Sequence, residues 1–110
     1  MVKETIKRIE AAIKSIQAGD NAKKQELLKL LNNLKAEIES LSRTHVEQAH
    51  TIAGYTALAA HESSRKQKSE ELLEHATEGL SLSVQGFEAS HPKLVETVNS
   101  ICTMLAGVGI

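Results

Sequence analysis

Apolar residues return in steps of four and three from Val2 through Ile6, Ile9 and Ile13 to Ile16. They do so again from Leu27 through Leu31, Leu34 and Ile38 to Leu41. This spacing gathers the apolar side chains on one face of an α-helix, whereas a strand would split them between two faces. The two stripes are separated by Ala18-Gly19-Asp20-Asn21. Gly19 suits the left-handed position that follows a helix, and Asp20 or Asn21 suits the N-cap of the next one. A link this short predicts an antiparallel helical hairpin over residues 1–43. Its stripes are expected to zip together as a short coiled coil. Glu4–Arg8 and Glu10–Lys14 have the spacing of surface ion pairs. Leu28 and Leu30 widen the apolar arc of the second helix, which predicts a further surface to cover there.

Composition points the same way. In 110 residues there are one Phe, one Tyr and no Trp. Aromatic rings bury the largest areas of any side chain, so this core has to be aliphatic and thin. One Pro and six Gly leave long uninterrupted segments, which favours packed helices over a sheet-based fold. The fold class expected is all-α, in one helical domain over residues 1–110.

Beyond Leu41 the pattern weakens. Residues 44–65 are Ala-rich, with Ala49, Ala53, Ala57, Ala59 and Ala60 beside Ile52, Tyr55 and Leu58. Continuing the heptad would align His45, Gln48, Ile52, Tyr55 and Ala59. The second helix either runs on with this small-residue seam or breaks near Ser42-Arg43-Thr44. Small side chains bury little area, so this segment is expected to be the least stable helical part. Glu62 to Lys68 reads as a polar linker. Ser69 then suits an N-cap, with Glu70 and Glu71 favouring the helix dipole. Over residues 69–110 a C-terminal helix pair follows, the first member carrying Leu72, Leu73, Ala76, Leu80, Val84 and Phe87. Ser90-His91-Pro92 marks the corner, because proline keeps His91 extended and pre-sets the first turn of the next helix. That last helix carries Leu94, Val95, Val98, Ile101, Cys102 and Leu105.

No catalytic set is complete. Asp20 is the sole Asp and sits at a capping position, so a Ser-His-Asp triad has no acid to orient its base. His61-Glu62-Ser63-Ser64-Arg65 lacks the second His of a zincin motif, and reads instead as a local polar cluster of His61, Glu62 and Arg65. No glycine-rich phosphate loop precedes a helix. One metal reading exists. Glu47…His50 and Glu88…His91 both have the Glu-x-x-His spacing that di-metal carboxylate bundles use. With thirteen Glu and five His one such match is expected by chance, and His91 lies against Pro92 at a helix end. No Glu of the first two helices is in line with the core stripe to complete the ligand set. The expectation is therefore no metal and no cofactor, with Glu47, His50, Glu88 and His91 as the alternative.

Net charge is −1, which gives no global attraction to nucleic acid or membrane. Lys23, Lys24, Lys29, Lys35 and Arg43 are offset by Glu26, Glu37 and Glu39, and no aromatic platform accompanies them. Residues 1–44 hold nine Lys/Arg against six Asp/Glu, and residues 45–110 hold four against eight, a polarity that suits pairing within or between chains. The N-terminus has no apolar run of the signal-peptide type, and the uncharged run Thr97–Ile110 is too short to span a bilayer, so a cytoplasmic protein is expected. Cys102 falls among Ile101, Met104 and Leu105 and reads as a small buried hydrophobe.

The most distinctive stretch is Gly86-Phe87-Glu88-Ala89-Ser90-His91-Pro92-Lys93-Leu94-Val95, with Val98-Asn99-Ser100-Ile101-Cys102 after it and Gly109-Ile110 at the end. Upstream stand Thr44-His45, Ile52-Ala53-Gly54-Tyr55, His61-Glu62 with Arg65, Glu70-Leu72-Leu73 and Gly79-Leu80. Together they resemble the domain of unknown function 4404 family over most of the chain, most strongly from Thr44 onward. The resemblance implies a small helical bacterial protein and carries over no catalytic or ligand residue. Ser63-Ser64 stands where the family pattern tends to Ala, which should loosen that helix end. Phe87, His91, Pro92 and Leu94 are the structural signature: Phe87 is expected to be buried at the corner and His91 to make a capping or turn hydrogen bond. The function expected is a non-enzymatic protein–protein interaction or self-association module. It would be a homodimer, with a further protein partner open and neither nucleic acid nor membrane as ligand. The alternative is the metal-binding bundle.

Overall fold

The structure is a computed structural model that describes residues 2–15, 21–67 and 69–109. Within them the chain forms α1 (Val2–Lys14), α2 (Asn21–Leu41), α3 (Val46–Ser64), α4 (Glu70–Ser83) and α5 (Pro92–Gly109), with no strand. The Ala-rich segment is thus a helix of its own. The expected turn at Gly19 and Asp20, and the stripe end at Ile16, lie outside the described residues, as do the side chains of Val2 and Asn21.

The two heptad stripes are buried as the spacing demands. Ile6, Ile9 and Ile13 of α1 and Leu27, Leu31, Leu34, Ile38 and Leu41 of α2 all belong to one core cluster. The helices touch, but they do not zip mainly to each other. The most extensive neighbour of α1 is α3, and that of α2 is α5. The coiled-coil expectation is corrected here: the stripes point into a shared five-helix core. Leu28 and Leu30 are partly buried against that core, so the widened arc of α2 is largely covered. Glu4–Arg8 and Glu10–Lys14 do not close; the ion pairs among the described residues are Glu62–Arg65 and His75–Glu78.

A turn at residues 42–45 separates α2 from α3. Ser42 Oγ donates to the Glu39 carbonyl at 2.7 Å, and the Thr44 and His45 amides both donate to the Leu41 carbonyl. These bonds close the C-terminal turn of α2. The continued heptad is lost at this turn. His45 and Gln48 are exposed, and the inner face of α3 is instead Ala49, Ile52, Ala53, Thr56, Ala59, Ala60 and Ser63.

That small-residue face gives α3 a central place. It packs mainly against α1 and α4 and also touches α2 and α5, because Ala, Ser and Thr let neighbouring backbones come close. Its buried hydroxyls are satisfied inside the helix: Thr56 Oγ1 donates to the Ile52 carbonyl at 2.7 Å and Ser63 Oγ to that of Ala59 at 2.8 Å. The segment expected to be least stable is therefore the hub of the core. The expected loosening at Ser63-Ser64 and the linker from Glu62 are corrected too. The helix runs through Ser64, and Glu62 and Ser63 are buried.

Residues 65–69 return the chain into α4. Ser69 Oγ accepts from the Leu72 amide at 3.2 Å, the expected N-cap, with Glu70 and Glu71 in the first turn. α4 stops at Ser83, short of the expected Phe87, and buries Leu73, Ala76 and Leu80. Pro92 opens α5, whose Leu94, Val98, Ile101 and Leu105 complete the core at helical spacing.

Candidate functional site

Two surface features gather the residues with chemical character. The first is the corner between α4 and α5. Gly86 takes φ +98°, a left-handed conformation that side chains with a Cβ rarely adopt. Its amide donates to the Glu88 carboxylate, and the His91 amide donates to the Phe87 carbonyl at 2.7 Å, which pins the turn. Phe87 is half-buried rather than buried, a correction to the expectation from the signature. Its ring lies edge-on to two imidazoles: His45 at 5.5 Å between centroids and His91 at 5.5 Å, with the two histidines 6.3 Å apart. Partial burial follows from this geometry, since the polar rings that cover Phe87 also face water.

His91 makes a turn-local bond, Nδ1 to Ser90 Oγ at 2.9 Å, while its backbone carbonyl accepts from the Val95 amide at 3.3 Å. His45 Nδ1 meets Thr44 Oγ1 at 2.8 Å. The pairing of His45 with His91 across Phe87 was not foreseen. Forty-six positions separate the two histidines, and the α2–α3 break brings them together.

The alternative metal quartet does not assemble. Glu47 is exposed in the first turn of α3, Glu88 is turned back onto Gly86, and His50 is half-buried on α3. Among the described residues no group of three or more His, Cys, Asp or Glu is placed to hold a metal ion. In the polar cluster expected at the end of α3, Arg65 Nη1 pairs with Glu62 Oε1 at 2.9 Å, and His61 stays exposed outside it. Cys102 is half-buried, not fully buried. Its thiol lies 3.5 Å from the Thr77 carbonyl, and burial pushes its pKa up to about 11. A thiol so disfavoured as thiolate is a poor nucleophile at neutral pH.

The second feature is a groove between α3 and α4. Of the five large hydrophobic residues exposed among the described residues, four line it: Tyr55 (38 %), Leu58 (46 %), Leu72 (48 %) and Leu82 (60 %). Ala76 and Gly79 form its floor, Glu62, His75 and Glu78 complete the lining, and its volume is about 360 Å³. The tyrosine ring lies directly over Gly79. A Cβ on that glycine would fall 2.6 Å from Cδ1 and 2.9 Å from Cζ of Tyr55. With Tyr55 opposite Gly79 and only a few residues between Ser64 and Glu70, α3 and α4 form an antiparallel pair. The core stripe of α4 is Leu73, Ala76, Leu80 and Val84, and Leu72, Gly79 and Leu82 form a second stripe beside it. The signal was present in the sequence, since α4 carries apolar residues on two adjacent ridges and one helix face cannot bury both.

Around this groove the charge is one-sided. α3 and α4 carry Glu47, Glu62, Glu70, Glu71, Glu74 and Glu78 and no Lys or Arg. Arg65 and Lys66 stand in the loop at one end, and Arg65 is taken up by Glu62. A further groove between α2 and α5 is lined by charged and polar groups of both kinds, among them Glu37, Lys93, Glu96 and Thr97. Among the described residues no helix is long and apolar enough to cross a membrane.

Comparison with curated proteins gives no match, and comparison with solved structures gives none. One family model does match. It is described as a domain of unknown function, DUF4404, and it covers residues 55–110, half of the chain. The matched segment starts at Tyr55 and holds the rest of the α3–α4 groove, the Phe87–His91 corner and all of α5, whereas His45 lies before it. This all-helical chain therefore belongs to the DUF4404 family.

Proposed function

We propose that the protein is a non-enzymatic interaction module that docks another protein through the α3–α4 groove. The observation that carries this reading is the clustering of Tyr55, Leu58, Leu72 and Leu82 on one face. Single exposed leucines are ordinary, but a contiguous apolar strip with a polar rim marks an interface. The homodimer expectation rested on the widened arc of α2. Leu28 and Leu30 are partly packed against the core, so the argument for docking moves to the α3–α4 face.

The test compares the wild type with Leu58→Ser/Leu82→Ser. Both leucines are exposed, so the variant keeps the fold. In affinity capture from the source cells, the wild type retains a stoichiometric protein that the variant loses. Light scattering on the purified proteins reports any self-association through the same face. If captured proteins and solution mass are the same for both, the groove is not a docking site.

A further inference from the structure

The α3–α4 groove has the shape and charge to select its occupant. From Leu72 to Leu82 the strip runs ten residues along α4, about 15 Å at helical rise, which matches roughly three turns of an incoming helix. Its lining is mostly apolar, with Ala76 and Gly79 on the α4 side, the Tyr55 ring packed over Gly79, and leucines beside them. This is the form that takes the apolar face of an amphipathic helix. Glu71 lies on the same ridge of α4 as His75, Glu78 and Leu82, by steps of four and three. Glu74 stands one turn from Glu78. The rim of α4 is therefore acidic, and Glu78 has only an exposed histidine, 4.0 Å away, as its partner.

A second copy of the chain is a poor occupant. Paired on itself about a two-fold axis, this face sets one glutamate-rich α4 against another, and like charges across an interface are repulsive. Paired with any other surface of the described residues, it finds no ridge of large exposed hydrophobics. Among the described residues the large hydrophobics outside the groove are buried or half-buried, apart from Val46. We infer that the groove binds a basic amphipathic helix of a partner protein, with leucine-type residues on one face and Lys or Arg flanking them. This rests on the interaction reading above and names the chemistry of its partner.

The test uses the full chain and two synthetic peptides of fourteen residues. Both place Leu at i, i+3, i+4, i+7 and i+11. One carries Lys at the flanking positions, the other Glu, and neither contains an aromatic residue. Tyr55 is the sole Tyr and the chain has no Trp, so intrinsic fluorescence reports on the groove alone. The Leu/Lys peptide is expected to give a saturable change and to bind at least tenfold more tightly than the Leu/Glu peptide. The preference shrinks as salt is raised, because it is electrostatic at an exposed rim. Leu58→Ser/Leu82→Ser abolishes binding, and Glu71→Lys/Glu78→Lys inverts the preference between the peptides.

Equal affinity for both peptides, or binding of neither, overturns the inference. So does a dimer of the protein alone that Leu58→Ser/Leu82→Ser converts to monomer, which would make a second copy the occupant. Leucine-dependent sedimentation with phosphatidylglycerol vesicles would make it a lipid surface and overturn it equally. If a cellular partner is lost with Leu58→Ser/Leu82→Ser while the peptides are not distinguished, the docking face stands and the assignment of a basic helix falls.

Discussion

Gly79→Ala tests the close approach on which the groove is built. In an exposed helix the exchange stabilises, by about 1 kcal/mol, because Ala costs less backbone entropy than Gly. Here the new methyl group would sit 2.6 Å from Cδ1 and 2.9 Å from Cζ of Tyr55. These are atoms in the body of the ring, so the whole side chain has to swing outward. Tyr55 is 38 % exposed, so most of it is covered at present. Lifting it off α4 exposes on the order of 80 Å² of apolar area, about 2 kcal/mol at 25 cal/mol/Å². The steric term wins, and Gly79→Ala is expected to destabilise by about 1 kcal/mol, the difference between the two effects.

The sign reverses once the ring is gone. In a Tyr55→Ala background the three atoms nearest the new methyl are gone, and Gly79→Ala is expected to stabilise by about 1 kcal/mol. The double-mutant cycle thus has a coupling of roughly 2 kcal/mol, well above the error of additivity for independent sites. Urea unfolding followed by far-UV circular dichroism on the four proteins measures it, with unchanged m-values as the check that only stability moved. A stabilising Gly79→Ala of equal size in both backgrounds would refute the packing of Tyr55 on Gly79, and with it the shape assigned to the groove.

Leu34→Ala removes a fully buried side chain from the shared core and should cost about 2–5 kcal/mol in the same assay. Phe87→Ala should cost about 2 kcal/mol, below the usual range for a buried aromatic, because that ring is only half-buried; a loss above 4 kcal/mol would mean the corner is more enclosed than described. Ser69→Ala deletes the side-chain cap on the Leu72 amide and should lower stability by about 1 kcal/mol. Cys102 should react with iodoacetamide at pH 8 about a hundredfold more slowly than a free thiol, since a pKa of about 11 in place of 9.0 leaves about that much less thiolate. The same shift stabilises the folded protein below pH 9 and is lost as pH rises from 9 towards 11, so the unfolding midpoint should fall over that window in the wild type and less in Cys102→Ala.

The helices were legible because their apolar spacing has one reading. Ile6, Ile9 and Ile13 of α1 and Leu27, Leu31, Leu34, Ile38 and Leu41 of α2 fall on single faces, and all are buried. The Ser69 cap and the Pro92 start of α5 were equally plain, since each follows from the chemistry of one residue. Partners among helices were not legible. A stripe states that a face is covered but not by what, so α1 was assigned to α2 when its main neighbour is α3. The candidate site was hidden for a related reason. Leu72 and Leu73 are adjacent, and which of them faces inward depends on how α4 is rotated against α3 and α5. His45 and His91 meet because α2 ends at Leu41 and His45 sits in the turn that follows.

The exposed groove follows from the same partition that makes α3 the hub. A helix touched by four others needs small residues on its inner face, and α3 supplies Ala49, Ala53, Ala59, Ala60 and Ser63 there. Its larger side chains are then left to the outer face. Ile52 remains inside, while Tyr55 and Leu58 turn to the side where α4 runs. α4 could have covered them with a bulky ridge. Instead it presents Ala76 and Gly79 beneath the tyrosine and sets Leu72 and Leu82 at either end. Stability alone would favour closing this strip, for each exposed leucine forgoes about 1 kcal/mol or more of burial. A small protein with so thin a core leaves little such area unused without cause. The open strip, the packing of Tyr55 on Gly79 and the glutamates along α4 are the three features on which the proposed docking of a cationic helix rests.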